Sequence, residues 1–357
     1  MANTGAGTVY VDASAGSAQS ADPHADEIRR PRPFRSQGAG RDYARACFAA
    51  RSGHANAHPR AISYRSAHGR RLIRGITLII DFHTHIFSPQ ICRNREPYLN
   101  RDAWFGLLYS NPRSRLASAE DLLAAMDVAG IDKSVTFGFA YADAGLCRET
   151  NDYVIDAVHR YPHRLIGFAA VNPRELAEAA REVERCAAAG LRGIGELTPA
   201  GQGFAIDDMK VMGPLAEAAR QHGLPILLHT NEPVGHVYAG KGSSLPWEVV
   251  RLAQQFPDVV LVCAHWGGGL FFYELMPELL ATLKNVYYDT ASSPKLYRDR
   301  IFRVGMEIAS DKLLFATDYP LLSPHQFLGR LRVSGLSGAD ERRIMGDNAR
   351  RILHIAD

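Results

Sequence analysis

The sequence has few cysteines and no long apolar run. Its five Cys residues show no paired spacing, which argues against a disulfide framework and fits a reducing cytoplasm. No stretch approaches the roughly eighteen consecutive apolar residues of a transmembrane helix. The N-terminus also lacks the apolar region of a secretory signal. We therefore expect a cytoplasmic protein with no membrane partner.

Lysine is missing from residues 1–75, which hold twelve Arg and five acidic residues and carry a net charge of +7. The remainder carries −4, so it gives no reason to expect nucleic acid as a partner. Residues 1–75 show no sustained apolar periodicity and are predicted to be a disordered extension. A role in anion binding or targeting competes with an unstructured appendage or a start codon placed too far upstream. The folded domain is expected over 76–357.

Short β-rich apolar runs begin at residue 76 and alternate with helical segments. They predict eight strands, at 78–82, 134–139, 165–171, 193–197, 225–230, 259–265, 285–290 and 313–318. The helices between them have recognisable ends. Ser118 with Asp121 predicts a capping box, and Gly130 and Gly223 predict helix C-termini.

Strands that alternate with helices imply a parallel sheet. Eight such units over about 280 residues match a (β/α)8 TIM barrel in number and length. An open doubly wound sheet is the alternative, but no Gly-rich phosphate loop follows the first strand.

Paired histidines end the first predicted strand. His83 and His85 stand two residues apart, so they share one face of an extended chain and are well placed to bind a divalent metal. Further metal-competent side chains stand at the ends of later strands: Glu196 on the fourth, His229 on the fifth, His265 on the sixth and Asp318 on the eighth. In a (β/α)8 barrel these ends meet on one face.

Each of these residues also has a structural interpretation. His229 and His265 fit buried, hydrogen-bonded histidines, and Asp318 fits a helix cap. Asp81 and Asp289 are expected to support the site. Imidazoles and carboxylates together suit Zn²⁺, Mn²⁺ or Fe²⁺, and the absence of Cys argues against a closed structural zinc site.

The ordered set of motifs resembles the amidohydrolase superfamily, and more narrowly the amidohydrolase-related group that includes aminocarboxymuconate semialdehyde decarboxylase-like proteins. The motifs are Asp81-Phe82-His83-Thr84-His85, Leu228-His229, Ala264-His265-Trp266-Gly267-Gly268, Tyr288-Asp289-Thr290, Thr317-Asp318-Tyr319-Pro320 and Gly346-Asp347-Asn348-Ala349-Arg350-Arg351.

The resemblance implies specific roles for the site residues. It makes His83, His85, His229 and Asp318 the ligands of one metal. His265 becomes a ligand of a second metal or a residue that positions water. Many relatives carry a carboxylated lysine on the fourth strand where Glu196 stands, so one or two ions are expected, with Zn²⁺ preferred.

These parts predict a hydrolase that uses a metal-activated water on a small lactone, amide or ester. Asp318 would take the proton of that water, and His265 would orient it. Glu196 favours hydrolysis, because its carboxylate offers a place for a second metal. The alternative is non-oxidative decarboxylation of a small aromatic or unsaturated acid.

Two further possibilities are less favoured. An inactive binding barrel does not explain the complete ligand set. A PHP-type phosphoesterase would need a second histidine ligand near Asp318. The loop after the fifth strand offers His236, Tyr238 and Lys241 as contacts for a small-molecule substrate, and a homo-oligomer is also possible.

Overall fold

The eight apolar runs form eight strands in the computed structural model, which describes residues 78–355. The strands are β1 (Ile80–His85), β2 (Lys133–Phe137), β3 (Leu165–Gly167), β4 (Ile194–Leu197), β5 (Ile226–Leu228), β6 (Leu261–Cys263), β7 (Val286–Asp289) and β8 (Leu313–Leu314). Each lies at or beside its predicted position. The described residues belong to one compact unit, and the expected extension over 1–75 lies outside them.

All neighbouring strands are parallel, in the order β1-β2-β3 and β4-β5-β6-β7-β8. A bridge between Ala169 and Ile194 joins the two groups on one side, and a bridge between Thr84 and Tyr319 joins them on the other. The amide of Phe82 also donates to the carbonyl of Phe315 at 2.8 Å. The barrel is therefore closed, which confirms the (β/α)8 fold and excludes the open sheet.

Helices connect the strands. The longer ones are Ala119–Ala129, Ala144–Arg160, Ala177–Ala188, Met209–His222, Pro246–Gln255, Arg300–Ala309 and Pro324–Arg332. The shorter ones are Pro89–Arg93, Glu96–Arg101, Ala103–Tyr109, Pro199–Gln202, Ser293–Leu296, Gly338–Arg342 and Asn348–Ile352. None of the helices in the described region is long and apolar enough to span a bilayer.

The predicted helix ends are confirmed. Ser118 and Asp121 form both bonds of a capping box, and Gly130 ends that helix in the left-handed conformation with φ 73°. Gly223 ends the helix Met209–His222 in the same way, with φ 63°. These ends are set by local sequence, which is why they were predictable.

Two irregularities in the strands decide which side chains reach the site. The register shifts between Asp81 and Thr84 in β1 and between Ile194 and Leu197 in β4. A bulge of this kind changes the face on which the following side chains stand. The shift in β1 spans His83, and the shift in β4 spans Glu196.

A close backbone approach beneath β1 gives a test of the packing. A methyl group on Gly346 would stand 2.1 Å from the carbonyl oxygen of Leu78. We expect Gly346→Ala to lower the free energy of unfolding by about 1–3 kcal/mol through overpacking, measured by denaturant titration.

Gly213→Ala is the matched control, because it lies in the helix Met209–His222 and a methyl group there meets nothing within 4 Å. Alanine should be neutral or stabilise this helix by about 0.5–1 kcal/mol. Equal effects of the two substitutions would contradict the packing beneath β1.

Candidate metal centre and cavity

Six polar side chains from the ends of five strands converge at the carboxyl end of the barrel. Potential ligand atoms of His83, His85 and Asp318 all lie within 4.8 Å of one another. The same holds for a second group formed by Glu196, His229 and His265. The structure thus brings together the complete set of metal-competent residues named from the sequence.

The two histidines of β1 are held so that the same nitrogen of each ring faces inward. Nδ1 of His83 lies 2.8 Å from Oδ2 of Asp289, and Nδ1 of His85 lies 3.2 Å from the carbonyl oxygen of Gly138. The two Nε2 atoms are 3.2 Å apart. Oδ1 of Asp318 lies 3.7 and 3.5 Å from them. This arrangement presents two imidazole nitrogens and a carboxylate to one point.

Glu196 lies between the two histidine pairs. Its Oε2 is 3.5 Å from Nε2 of His83, and its Oε1 is 2.9 Å from Nδ1 of His229 and 3.5 Å from Nε2 of His265. Nε2 of His229 is buried without a hydrogen-bond partner among the described residues. A buried nitrogen of this kind needs a partner, and a cation in the cluster would supply one.

The electrostatics of the cluster also favour a cation. Burial alone would lower the pKa of His83, but the carboxylates of Glu196 and Asp289 outweigh it and raise that pKa well above its ordinary value. Burial likewise opposes the shift at His265, where hydrogen bonding to Glu196 helps to raise the pKa to about 9. For Glu196 itself, burial would raise the pKa, but His83 and His229 hold it well below the usual range. Protons on His83 and His265 therefore balance the buried carboxylates, and a divalent cation can replace them.

Three residues at the site have left-handed backbone conformations that side chains rarely adopt. The φ angles are 56° for His265, 57° for Ser292 and 65° for Asp318. Such positions cost free energy and cluster at functional sites. Ser292 donates a 2.6 Å hydrogen bond from its hydroxyl to Oδ2 of Asp318, which fixes the direction of that carboxylate.

A cavity of about 830 Å³ opens above the cluster. The cluster residues His85, Glu196, His229, His265 and Asp318 are among those that line it. Sequence reasoning missed other lining residues, which come from segments after β1 and β7: Trp104, Tyr109, Asn111, Arg113, Arg115 and Lys295. The sequence feature that could have identified them is the presence of basic and aromatic residues in connections on the functional face of the barrel.

The loop after β5 contributes two of its three predicted contacts to the cavity. His236 and Tyr238 line the cavity, whereas Lys241 is not among the lining residues. The ammonium group of Lys241 instead donates to the carbonyl oxygens of Val234 at 2.6 Å and His236 at 3.2 Å. Direct contact between Lys241 and a substrate would require these bonds to break.

Residues 80–355 match the model of the amidohydrolase family Amidohydro_2, and the chain belongs to this family. The family predicted from the motifs is thus confirmed. The match spans the entire barrel and its site.

Several relatives of this chain are decarboxylases. The gamma-resorcylate decarboxylase of Polaromonas sp. is 24% identical over 296 residues, which cover 68% of this chain and 90% of the relative. Among solved structures, 5-carboxyvanillate decarboxylase from Sphingomonas paucimobilis has a TM-score of 0.65 at 20% identity, with coverage of 79% of this chain and 100% of the other. A 5-carboxyvanillate decarboxylase from Novosphingobium aromaticivorans, solved with manganese and a nitrobenzoic acid, has a TM-score of 0.64 at 18% identity, with coverage of 78% and 96%.

The expectation of hydrolysis is wrong, because these relatives are named decarboxylases. The expectation depended on Glu196 as the place for a second metal. In the structure, Glu196 contacts both histidine pairs and belongs to the second of the two groups with metal-ligand spacing, and this arrangement can serve either reaction. The broader expectation, that the protein is an enzyme with a divalent cation, is confirmed.

The metal centre predicts a specific loss of metal. Replacing His83 and His85 together by Ala should remove most of the bound transition metal, because both inward-facing nitrogens are lost. Elemental analysis of the purified protein gives the readout. The double variant His163→Ala, His222→Ala is the control, because both residues are exposed and neither belongs to the cluster or lines the cavity. Full metal occupancy in the first variant would refute the assignment.

The raised imidazole pKa values predict that metal affinity depends on pH. A cation must displace the proton of a ligand such as His83, whose pKa stands well above its ordinary value because burial is outweighed by the carboxylates of Glu196 and Asp289. Affinity should therefore fall as pH decreases below this raised pKa, by about tenfold per pH unit for each displaced proton. Titration calorimetry with Mn²⁺ in buffers of different ionisation enthalpy measures both affinity and proton release. A constant affinity without proton release would contradict the prediction.

Proposed function

We propose that this enzyme is a metal-dependent, non-oxidative decarboxylase of small hydroxy-substituted aromatic carboxylic acids. The observation that carries the proposal is the similarity to gamma-resorcylate decarboxylase over 90% of that protein's length. The histidine–carboxylate cluster at the base of the cavity supports it, because such a site suits a substrate with adjacent oxygen donors.

We propose Mn²⁺ as the cation in preference to the expected Zn²⁺. A structurally similar decarboxylase contains manganese, and the nitrogen and oxygen donors here accept that ion. Four residues would hold it: His83, His85, His229 and Asp318. When bound, the cation would stabilise negative charge on the carboxylate and phenolate oxygens of the substrate.

The protein would provide proton transfer and orientation. Asp318 would accept the proton of the hydroxyl group next to the substrate carboxylate and deliver it to the ring carbon that bears that carboxylate. The bond between this carbon and the carboxyl carbon then breaks, and carbon dioxide leaves. The electron pair of the broken bond stays with the ring and restores its aromaticity. Solvent returns a proton to the phenolate oxygen. Ser292 would keep Asp318 in the required direction.

The walls of the cavity suit an aromatic ring. Trp104, Tyr109 and Phe139 line the space above the cluster. Offset or edge contacts between such side chains and a substrate ring favour a fixed ring orientation. His265, whose imidazole reaches the same cavity, would stabilise negative charge as it develops on the substrate.

A substrate panel tests this proposal. The manganese-loaded enzyme is incubated with mono- and dihydroxybenzoates and unsaturated acids, and carbon dioxide is measured alongside hydrolysis of lactones and amides. We expect carbon dioxide release from an acid with a neighbouring hydroxyl group and none from the same acid without it. Hydrolysis of a lactone or amide with no carbon dioxide from any acid would refute decarboxylation.

Asp318→Asn tests the proton carrier. Asparagine keeps the shape of the side chain but cannot carry the proton, so turnover should fall by about 10²–10⁴ while the fold persists. The rate of carbon dioxide release, the metal content and the melting temperature are measured on the same preparation. Asp311→Asn, outside the cavity-lining set, is the control. Near wild-type turnover with metal bound would exclude Asp318 as the proton carrier.

A further inference from the structure

One wall of the cavity is built from a segment without helix or strand. Residues 110–115 follow the helix Ala103–Tyr109 and continue to the cap of the next helix. The segment and the last residue of the preceding helix supply five lining residues: Tyr109, Asn111, Arg113, Ser114 and Arg115. Because this wall has no backbone ladder, other contacts must fix its shape.

A single guanidinium group supplies three of these contacts. Nη1 of Arg95 donates to three carbonyl oxygens of the wall, those of Tyr109 at 3.1 Å, Asn111 at 3.4 Å and Ser114 at 2.8 Å. Arg95 is half-buried, and no carboxylate of the described region forms an ion pair with it. Its positive charge therefore interacts mainly with the carbonyl oxygens of the wall.

Bonds within the wall depend on the same conformation. The hydroxyl of Ser114 donates to the carbonyl of Leu108 at 2.9 Å, and the amide of Ser114 donates to the carbonyl of Asn111 at 2.9 Å. The amide of Arg113 donates to the side-chain oxygen of Asn111 at 3.0 Å. The converging carbonyls of this turn would repel one another without a cation between them.

We infer that Arg95 is a positioning residue that fixes this wall and thereby sets affinity for the substrate. Arg95 does not line the cavity, so it acts through the residues that do. Among the described residues, the side chain of Asp318 is bonded by Ser292 and approached by His83 and His85, not by the wall, so the chemical step should be less sensitive to Arg95 than substrate affinity is. The effect on substrate affinity rests on the proposed decarboxylase function, whereas the effect on the wall does not.

Chemical rescue of Arg95→Ala provides the test. The variant should raise KM for the best hydroxybenzoate of the panel by about tenfold or more, as expected for lost charge-assisted hydrogen bonds, with kcat within a factor of about three. Guanidinium chloride at millimolar concentration, far below denaturing levels, should restore KM, and methylammonium should not. Arg93→Ala is the matched control, because Arg93 is exposed two residues away.

Hydrogen exchange gives a readout that needs no substrate. Amides in residues 109–115 should exchange faster in Arg95→Ala than in wild type, and guanidinium should restore their protection, while the strands remain unchanged. Arg95→Gln replaces the Ala variant if the latter does not fold. Unchanged exchange in the wall would overturn the inference, and so would a loss in kcat that guanidinium does not restore. Restored exchange in an enzyme that releases no carbon dioxide would refute only the decarboxylase proposal.

Discussion

The burial of two carboxylates among four imidazoles is the interaction on which the site depends. Glu196 and Asp318 lie in an environment where an unpaired negative charge is costly, and His83 and His265, whose pKa values are raised, compensate by holding protons. A divalent cation satisfies the same charges without those protons. Hydrogen bonds around the cluster hold these charged groups in place. Asp289 fixes the orientation of the His83 ring, and Ser292 fixes the orientation of the Asp318 carboxylate. The position of the cluster at one end of a closed barrel then determines where a substrate can enter.

Support for the cluster extends to the connection between the first and last strands. Asp81 is fully buried, and burial raises its pKa to about 7 against the hydrogen bonds that favour its charged form. Its carboxylate accepts bonds from the amide and hydroxyl of Thr317, the residue before Asp318. The same carboxylate accepts the amide of His83 at 3.3 Å. One buried aspartate thus links the backbone of a metal-competent histidine to that of the candidate proton carrier, where the barrel closes.

Much of this arrangement could be predicted from the sequence, because its determinants are local. The eight strands follow from short apolar runs, and the helix end at Gly130 follows from one residue's conformational freedom. The ends of the strands identified the metal-competent residues because parallel strands place these ends together. The wall held by Arg95 was not predictable, since its contacts join residues 14 to 19 positions apart in an irregular segment. The reaction type was predicted wrongly, because the same ligand set serves hydrolysis and decarboxylation and Glu196 was taken as evidence for a second metal.

The central claim is that one cation occupies the cluster at the strand ends. The most direct measurement is a crystal structure of the manganese-loaded protein with anomalous diffraction recorded at the manganese edge. We expect one peak at about 2.0–2.3 Å from Nε2 of His83 and His85 and from a carboxylate oxygen of Asp318, a range typical of nitrogen and oxygen ligands. A peak elsewhere on the protein, or none in the cluster of a fully loaded crystal, would contradict the account.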